Sequence, residues 1–353
     1  YLRTWGTNKI IIDSNGLNYQ GQSDDYDVEY DTDGETLNIV YADATQGWIP
    51  LDDDVVADEP VAPPVQRAIF AYGKIQSGSF VSTSNLVSTS GVVASDVTGV
   101  GTARTQPAAA TYGLDKGIFM GGNTGSVTGV SNLVNNSGVV ATDVAAVATG
   151  RKGLAAAVYG SDKVIFGYGG TPTISSISNL VTSVGVIGSD VTGVGTVRED
   201  LAAAGYGNDK AIFGYGTVDG SSNLNMTNLV TNVGVVGTDV TGVGTQRYGI
   251  SAAGYGSSGQ AIFAYGYGGG NLSMSNLVSN SGVVATDTSG VGTGRHGVAG
   301  AMYGGDKAIF GFGNVWPNVQ GMTNLVSNTG VVAADVSAVG TARFAPSAAG
   351  YSI

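Results

Sequence analysis

An all-β fold, with six β-propeller blades behind a small acidic β domain, is what the sequence predicts, and three observations carry it. A motif recurs six times with a period of 47–50 residues. Each period holds short β-like runs divided by turn signals and nothing with helical periodicity. The net charge of −12 sits entirely in the first sixty residues, which hold 14 acidic and 2 basic side chains, whereas residues 61–353 balance 13 against 13. The expected organisation is a small β domain over 1–50, an acidic proline-containing linker over 51–65 and a propeller over 66–353.

Composition narrows the function classes. The 353 residues include 58 glycines, more than twice the usual share of roughly 7%. Hydrophobic residues still make up 42%, which argues against disorder, and no strict triplet with proline points to collagen. With no cysteine, disulfide scaffolds, thiolate zinc sites and cysteine nucleophiles are excluded. The single histidine, His296, leaves no multi-histidine metal centre. No apolar run reaches the roughly 18–20 residues of a membrane-spanning helix. An acidic, basic-poor chain is not expected to bind nucleic acid. No signal peptide is visible and the chain opens on Tyr1, so a fragment or a processed product is expected.

The repeat is defined by an Asn-Leu doublet at Asn85, Asn132, Asn179, Asn228, Asn276 and Asn324. Eleven residues after each stands an aspartate, and nineteen after each an arginine. A phenylalanine recurs at Phe70, Phe119, Phe166, Phe213, Phe263 and Phe310. One period reads as strand a over 201–206, b over 210–215, c over 226–231 and d over 235–243. Gly-Asn-Asp-Lys parts a from b, and Asn-Val-Gly parts c from d. Strand b has the β-branched and aromatic bias of a buried strand. Strand a is alanine and glycine, as in 108–110, 155–157 and 202–204, which suits the strand nearest a crowded axis. Four strands in such a period match a propeller blade. The first repeat begins at strand b, 67–72, and the last is followed by a spare a strand, 347–351. The two ends are therefore expected to complete one blade together, which a ring needs and a capped solenoid does not.

Residues 70–73, 213–216 and 310–313 read F-[A/G]-[Y/F]-G. With the c strand and terminal arginine that follow, this resembles kelch-type repeats, in which a glycine pair ends strand b. Only Gly121-Gly122 and Gly169-Gly170 present such a pair here, and the family's later tyrosine and tryptophan are missing. The resemblance implies a kelch-like shape and no kelch function. In the first sixty residues, 9–12 reads as a strand and Asn15-Gly16 as a hairpin turn. Tyr26, Val28 and Tyr30 alternate with Asp27, Glu29 and Asp31, and Asp33-Gly34 turns into Leu37, Ile39 and Tyr41. Residues 5–50, ending in Tyr41 and Gly47-Trp48, resemble a small domain of tailed-phage fibre and head-appendage proteins. That resemblance implies a tail-fibre or head-fibre type of virion protein on the particle surface. It would be joined to other virion proteins through its N-terminal domain, homo-oligomeric and not inserted in a membrane.

Several motifs invite a chemical interpretation. Glu29-x-Asp31-x-Asp33-Gly34 resembles the start of a calcium loop. Its twelfth position is Val40, where a bidentate glutamate is required, so an acidic strand face is the favoured interpretation. The TGVGT stretches at 98–102, 192–196 and 241–245 lack the helix and third glycine of a dinucleotide fingerprint. The aspartates and arginines are paired within each repeat as Asp96 with Arg104, Asp143 with Arg151, Asp190 with Arg198, Asp239 with Arg247, Asp287 with Arg295, and Asp335 with Arg343. An active site is normally made once, so six copies are expected to be structural, each guanidinium fork bonding backbone or carboxylate at a blade junction.

Function is expected where the repeats differ, in the b–c loops and in the residues after each arginine, which share one end of a blade. That end offers Tyr248, Tyr267, His296, Trp316 and Phe344 beside amides and hydroxyls, a set suited to stacking on and bonding to sugars. The expectation is a virion adhesion protein that attaches to a host-surface glycan or protein, with no catalytic residue, metal or cofactor. A non-adhesive capsid or tail decoration protein is one alternative. A carbohydrate-active propeller enzyme is the other. For that enzyme no sialidase-type aspartate boxes are evident, galactose-oxidase-type chemistry lacks its cysteine, and Glu199-Asp200 is the one adjacent acidic pair of the repeats.

Overall fold

The computed structural model describes residues 4–23, 27–33, 36–52 and 66–352. The chain divides into two compact units, Tyr1–Pro64 and Val65–Ile353. Linker residues 53–65 lie outside the described residues, as do Tyr26 and Gly34. Among the described residues the regular structure is all β.

In the first unit, β1 (Ile10–Ile12) pairs antiparallel with β2 (Val28–Tyr30), placing Ile12 opposite Val28. A hairpin joins β3 (Asn38–Asp43) to β4 (Gly47–Asp52), its turn fixed by Asp43 Oδ1, which accepts from the Thr45 and Gln46 amides. Val28 and Tyr30 are buried and Glu29 between them is exposed, the period-two pattern of a one-sided strand. Tyr19, Val28 and Tyr30 form the core with Trp5, Ile10, Ile12, Leu37, Ile39 and Trp48 packed against them. Asn15 and Gly16 adopt the left-handed turn at φ 53° and 80°. The turn does not make a hairpin, because β1 pairs with β2 while the segment after the turn brings Tyr19 into the core, its hydroxyl 2.6 Å from that of Tyr30.

The second unit holds one three-stranded antiparallel sheet per repeat. The first repeat supplies β5 (Gln66–Ala71) and β6 (Ser84–Val87). The second supplies β7 (Ala108–Tyr112), β8 (Lys116–Met120) and β9 (Ser131–Val134), and the third β10 (Ala155–Tyr159), β11 (Lys163–Gly167) and β12 (Ser178–Val181). The fourth has β13 (Ala202–Tyr206), β14 (Lys210–Thr217) and β15 (Asn223–Val230), and the fifth β16 (Ser251–Tyr255), β17 (Gln260–Ala264) and β18 (Ser275–Val278). The sixth has β19 (Ala299–Tyr303), β20 (Lys307–Gly311), a small hairpin of β21 (Asn314–Val315) and β22 (Asn318–Val319), and β23 (Thr323–Val326). The last strand, β24 (Ser347–Ser352), pairs with β5 and completes the first sheet, Ser347 opposite Ala71 and Ser352 opposite Gln66.

These are the a, b and c strands of the sequence. The expected d strand is not formed as a strand. The segment makes only single bridges, such as Thr227 with Val240 and Val230 with Val236. The Asn228 side chain explains the interruption, because its Nδ2 donates to Gly237 O and takes a carbonyl that a continuous ladder would use.

Register is the same in every sheet: the repeated phenylalanine of b stands between a small residue of a and the repeated asparagine of c, as Ala203–Phe213–Asn228. The b strands are buried on both faces, which accounts for their continuous apolar run. The a strands neighbour one another in the succession β7, β10, β13, β16, β19, β24 and again β7. Backbone bonds link the a–b turns in the same order: Gly113 N to Asp162 O, Gly160 to Asp209, Gly207 to Gly259, Gly256 to Asp306, Gly304 to Gln66 and Ser352 to Asp115, at 2.7–3.0 Å. Just before the a strands a second cycle runs the opposite way. There Gln106 N donates to Ala345 O, Ala345 to Gly297, Gly297 to Gly249, Gly249 to Asp200, Asp200 to Gly153 and Gly153 to Gln106, at 2.7–3.2 Å. All six of these residues are left-handed, with φ between 47° and 61°.

Candidate functional site

The repeated aspartates and arginines meet between neighbouring sheets. Arg104 is fully buried. Its Nη2 donates to Asn132 Oδ1 at 2.7 Å, its Nε to Gly121 O at 2.8 Å and its Nη1 to Thr102 O at 3.0 Å. Asn132 Nδ2 donates in turn to Asp143 Oδ1, and the Thr102 amide and hydroxyl bond the same carboxylate. The arginine–asparagine–aspartate chain recurs as Arg151–Asn179–Asp190, Arg198–Asn228–Asp239, Arg247–Asn276–Asp287, Arg295–Asn324–Asp335 and Arg343–Asn85–Asp96, whereas the Nε bond to a carbonyl is repeated only by Arg247 and Arg295.

The pairing within a repeat is thereby corrected. Asp96 faces Arg343 rather than Arg104, and each other aspartate faces the arginine of the preceding repeat, because the eight residues from aspartate to arginine carry the chain across to the next sheet. The guanidinium and carboxylate stand 3.8–4.0 Å apart where they approach, with the asparagine bonding both. Burial pushes each of these aspartates up, but bonds from threonine and asparagine and the arginine charge outweigh it and hold the carboxyl below its ordinary value.

Five of the arginines lie on an aromatic ring, Arg104 on Tyr72 at 3.8 Å from its centroid and likewise Arg198 on Tyr168, Arg247 on Tyr215, Arg295 on Tyr265 and Arg343 on Phe312. These rings occupy the left-handed region, φ 62–65°, where the second repeat has Gly121. Gly169-Gly170 is therefore not the counterpart of Gly121-Gly122; Tyr168 holds that first place. Each ring also packs against the phenylalanine of the next sheet, with centroids 5.1–5.7 Å apart.

The residue after each arginine bridges a residue at or just beyond the end of a b strand: Thr105 with Asn123, Lys152 with Gly170, Glu199 with Thr217, Tyr248 with Tyr267, His296 with Asn314 and Phe344 with Lys74. The two variable sets thus share one end. On it Tyr267, Tyr248, His296 and Phe344 form a continuous row, with centroids 5.6 Å apart for Tyr248–Tyr267 and Tyr267–His296 and 5.3 Å for His296–Phe344. All four are half-buried. His296 Nδ1 lies 2.7 Å from Asn271 Oδ1, and burial lowers its pKa, which favours the neutral ring. Trp316 is not in the row. It stands 82% exposed on the β21–β22 hairpin, which Gln76 ties down through Pro317 O and the Val319 amide.

A cavity of about 380 Å³ runs between the a strands of all six sheets, lined at one layer by Ala109, Ala156, Ala203, Ala252, Gly300 and Ala348. The left-handed cycle forms its rim at the aromatic end. Four rim positions are Gly153, Gly249, Gly297 and Ala345, and only Gln106 and Asp200 carry polar side chains. They bond each other, Gln106 Nε2 to Asp200 Oδ1 at 2.8 Å, across Gly153, where a Cβ would come within 2.7 Å of that oxygen. The Phe344 ring overlies Gly297. Burial first, and Glu199 second, push the Asp200 carboxyl up to about 6 against the Gln106 bond and the Lys152 charge. Lys152 Nζ stands 3.8 Å from Glu199 Oε2.

Of the five residues expected on this end, Tyr248, Tyr267, His296 and Phe344 lie together and Trp316 lies apart, while the rim was not foreseen. Its signal was the second residue after each arginine, which runs Gln, Gly, Asp, Gly, Gly, Ala. Among the described residues no three acidic or histidine side chains are grouped to hold a metal. Glu29 pairs with Lys9, and Asp33 accepts from the Gly6 amide. Neither a protein-family model nor a curated protein matches this chain.

Proposed function

We propose that residues 66–353 are a six-bladed β-propeller and that the protein is a virion adhesion protein, presenting the end with Tyr248, Tyr267, His296 and Phe344 to a host-surface glycan. The succession of a strands, the two six-membered cycles of backbone bonds and the pairing of β24 with β5 support six blades. The binding face rests chiefly on one observation: at the end where the b–c loops and the residues after each arginine differ among the repeats, four half-buried rings adjoin the rim of the cavity. Aromatic faces take the C–H faces of sugars, while neighbouring amides bond hydroxyls. The virion setting rests on the resemblance of residues 5–50 to phage appendage domains. In that setting the N-terminal unit joins other virion proteins and the chain acts as a homo-oligomer on the particle surface.

Host-cell binding by the full chain tests the reading. Tyr248→Ala combined with Tyr267→Ala lowers binding at least tenfold, whereas Val235→Ser on an outer c–d turn leaves it unchanged. Equal binding by both variants overturns the face assignment, and incorporation into particles without cell binding supports a decoration role instead.

A further inference from the structure

We infer that the rim of the cavity is a subsite for an acetamido group, so that the preferred ligand is an N-acetylated aminosugar whose ring lies on the aromatic row; this rests on the glycan-binding reading above. The rim departs from its own repeat here. Left-handed backbone suits glycine, and Gly153, Gly249 and Gly297 supply it, yet Gln106 and Asp200 hold the same conformation at φ 55° and 53°. Three of the six equivalent places, Gln106, Asp200 and Ala345, keep a left-handed residue other than glycine, and the first two bring polar side chains to the rim.

Their chemistry is a matched donor and acceptor. Asp200 Oδ1 is engaged by Gln106, leaving Oδ2 to accept an N–H, while Gln106 keeps a second N–H to donate to a carbonyl. An acetamido group presents one N–H and one C=O. Its methyl then points below the rim toward the layer of Ala109, Ala156, Ala203, Ala252, Ala348 and Gly300, which offers it apolar contact beside the Ser251 and Ser347 residues of the same lining. Glu199 faces Lys152, so the charge left at the rim is that of the Asp200 carboxylate, and a glucosamine tetramer tests whether it prefers an ammonium to the acetamido N–H. Phe344 overlying Gly297, and Tyr248 one residue from Gly249, put aromatic surface directly beside the rim for the sugar ring.

The full chain is titrated calorimetrically with three β-1,4-linked tetramers, of N-acetylglucosamine, glucosamine and glucose. The acetylated tetramer is expected to bind at least tenfold more tightly than the other two. Gln106→Gly and Asp200→Gly, which suit the left-handed backbone, remove that preference, and Tyr248→Ala weakens every sugar that binds. Equal affinity for the three tetramers, lost in Tyr248→Ala, overturns the acetamido subsite and leaves the sugar-binding face standing. No binding of any tetramer, while host-cell binding still needs Tyr248, also overturns the subsite alone. If host-cell binding is indifferent to Tyr248 as well, both inferences fall.

Discussion

At Asp200 the folded carboxyl titrates near 6, above its ordinary range, so the native state holds its proton more tightly than the unfolded chain does. The benefit is complete below the unfolded pKa of about 4 and is lost as pH rises through about 6. Asp200→Asn keeps an acceptor for Gln106 and removes the charge. It is expected to raise stability at pH 8 by about 1–2 kcal/mol, with the gain vanishing near pH 4. Thermal unfolding at the two pH values measures this, and an equal gain at both excludes ionisation as the cause. The six junction aspartates behave in the opposite sense. Their folded values are depressed, so their contribution is whole above the ordinary carboxylate range and disappears as pH falls through the lowered values. Acid therefore relieves the rim while it loosens the junctions. The repeat spacing put Asp200 and Gln106 at equivalent positions but could not show that they bond, because Gly153 stands between them in the rim and 94 residues part them in the chain.

At the level of the strand and its turn, the aromatic residue found at the end of the b strand in five of the six repeats sets the behaviour. Tyr168 sits at φ 62°, with Arg198 4.2 Å from its ring centroid and its hydroxyl donating to Val194 O at 3.1 Å. Replacing it removes both contacts, yet glycine relieves the left-handed strain and alanine does not. Tyr168→Ala is thus expected to be less stable than Tyr168→Gly by about 1 kcal/mol, the reverse of their usual order within strands. Denaturant melts of the two variants decide it, and alanine proving the more stable would remove strain from the account.

This position also marks the limit of what the sequence disclosed. Strands a, b and c were readable because burial imposes composition: small residues where six strands converge, and β-branched or aromatic ones between two packed faces. The d segment looked equally strand-like, but Asn228 and its equivalents divert the backbone carbonyl it needed. Gly169-Gly170 looked like a repeat-matched pair only because φ is invisible in a sequence, and a tyrosine was not expected to take a glycine's conformation. The same blindness applied to Asn15-Gly16, whose turn formed without the hairpin it usually announces.

At the largest scale, the period and the offset of the two chain ends foretold one small antiparallel sheet per repeat and the pairing of β24 with β5, whereas the aromatic end could be only half read. Tyr248, Tyr267, His296 and Phe344 stood out by their chemistry and lie together. Trp316 stood out equally and lies apart, since a row depends on which bridge each loop residue makes. A chain truncated after Pro346 lacks the a strand of the first sheet and the bond from Ser352 to Asp115. It is expected to lose its single cooperative unfolding transition, and addition of a 347–352 peptide to restore it; a sharp transition in the truncated chain would show that the sheets are stable singly. The pairing of β24 with β5 has a further consequence in time. During synthesis the inner edge of β5 stays bare until the last strand emerges, so the slowest contact in folding is also the one that completes the sheet. The same edge on a second chain is an identical template, so copies refolded at high concentration are expected to exchange their final strands and run as dimers in size exclusion, and monomers at every concentration would exclude the exchange.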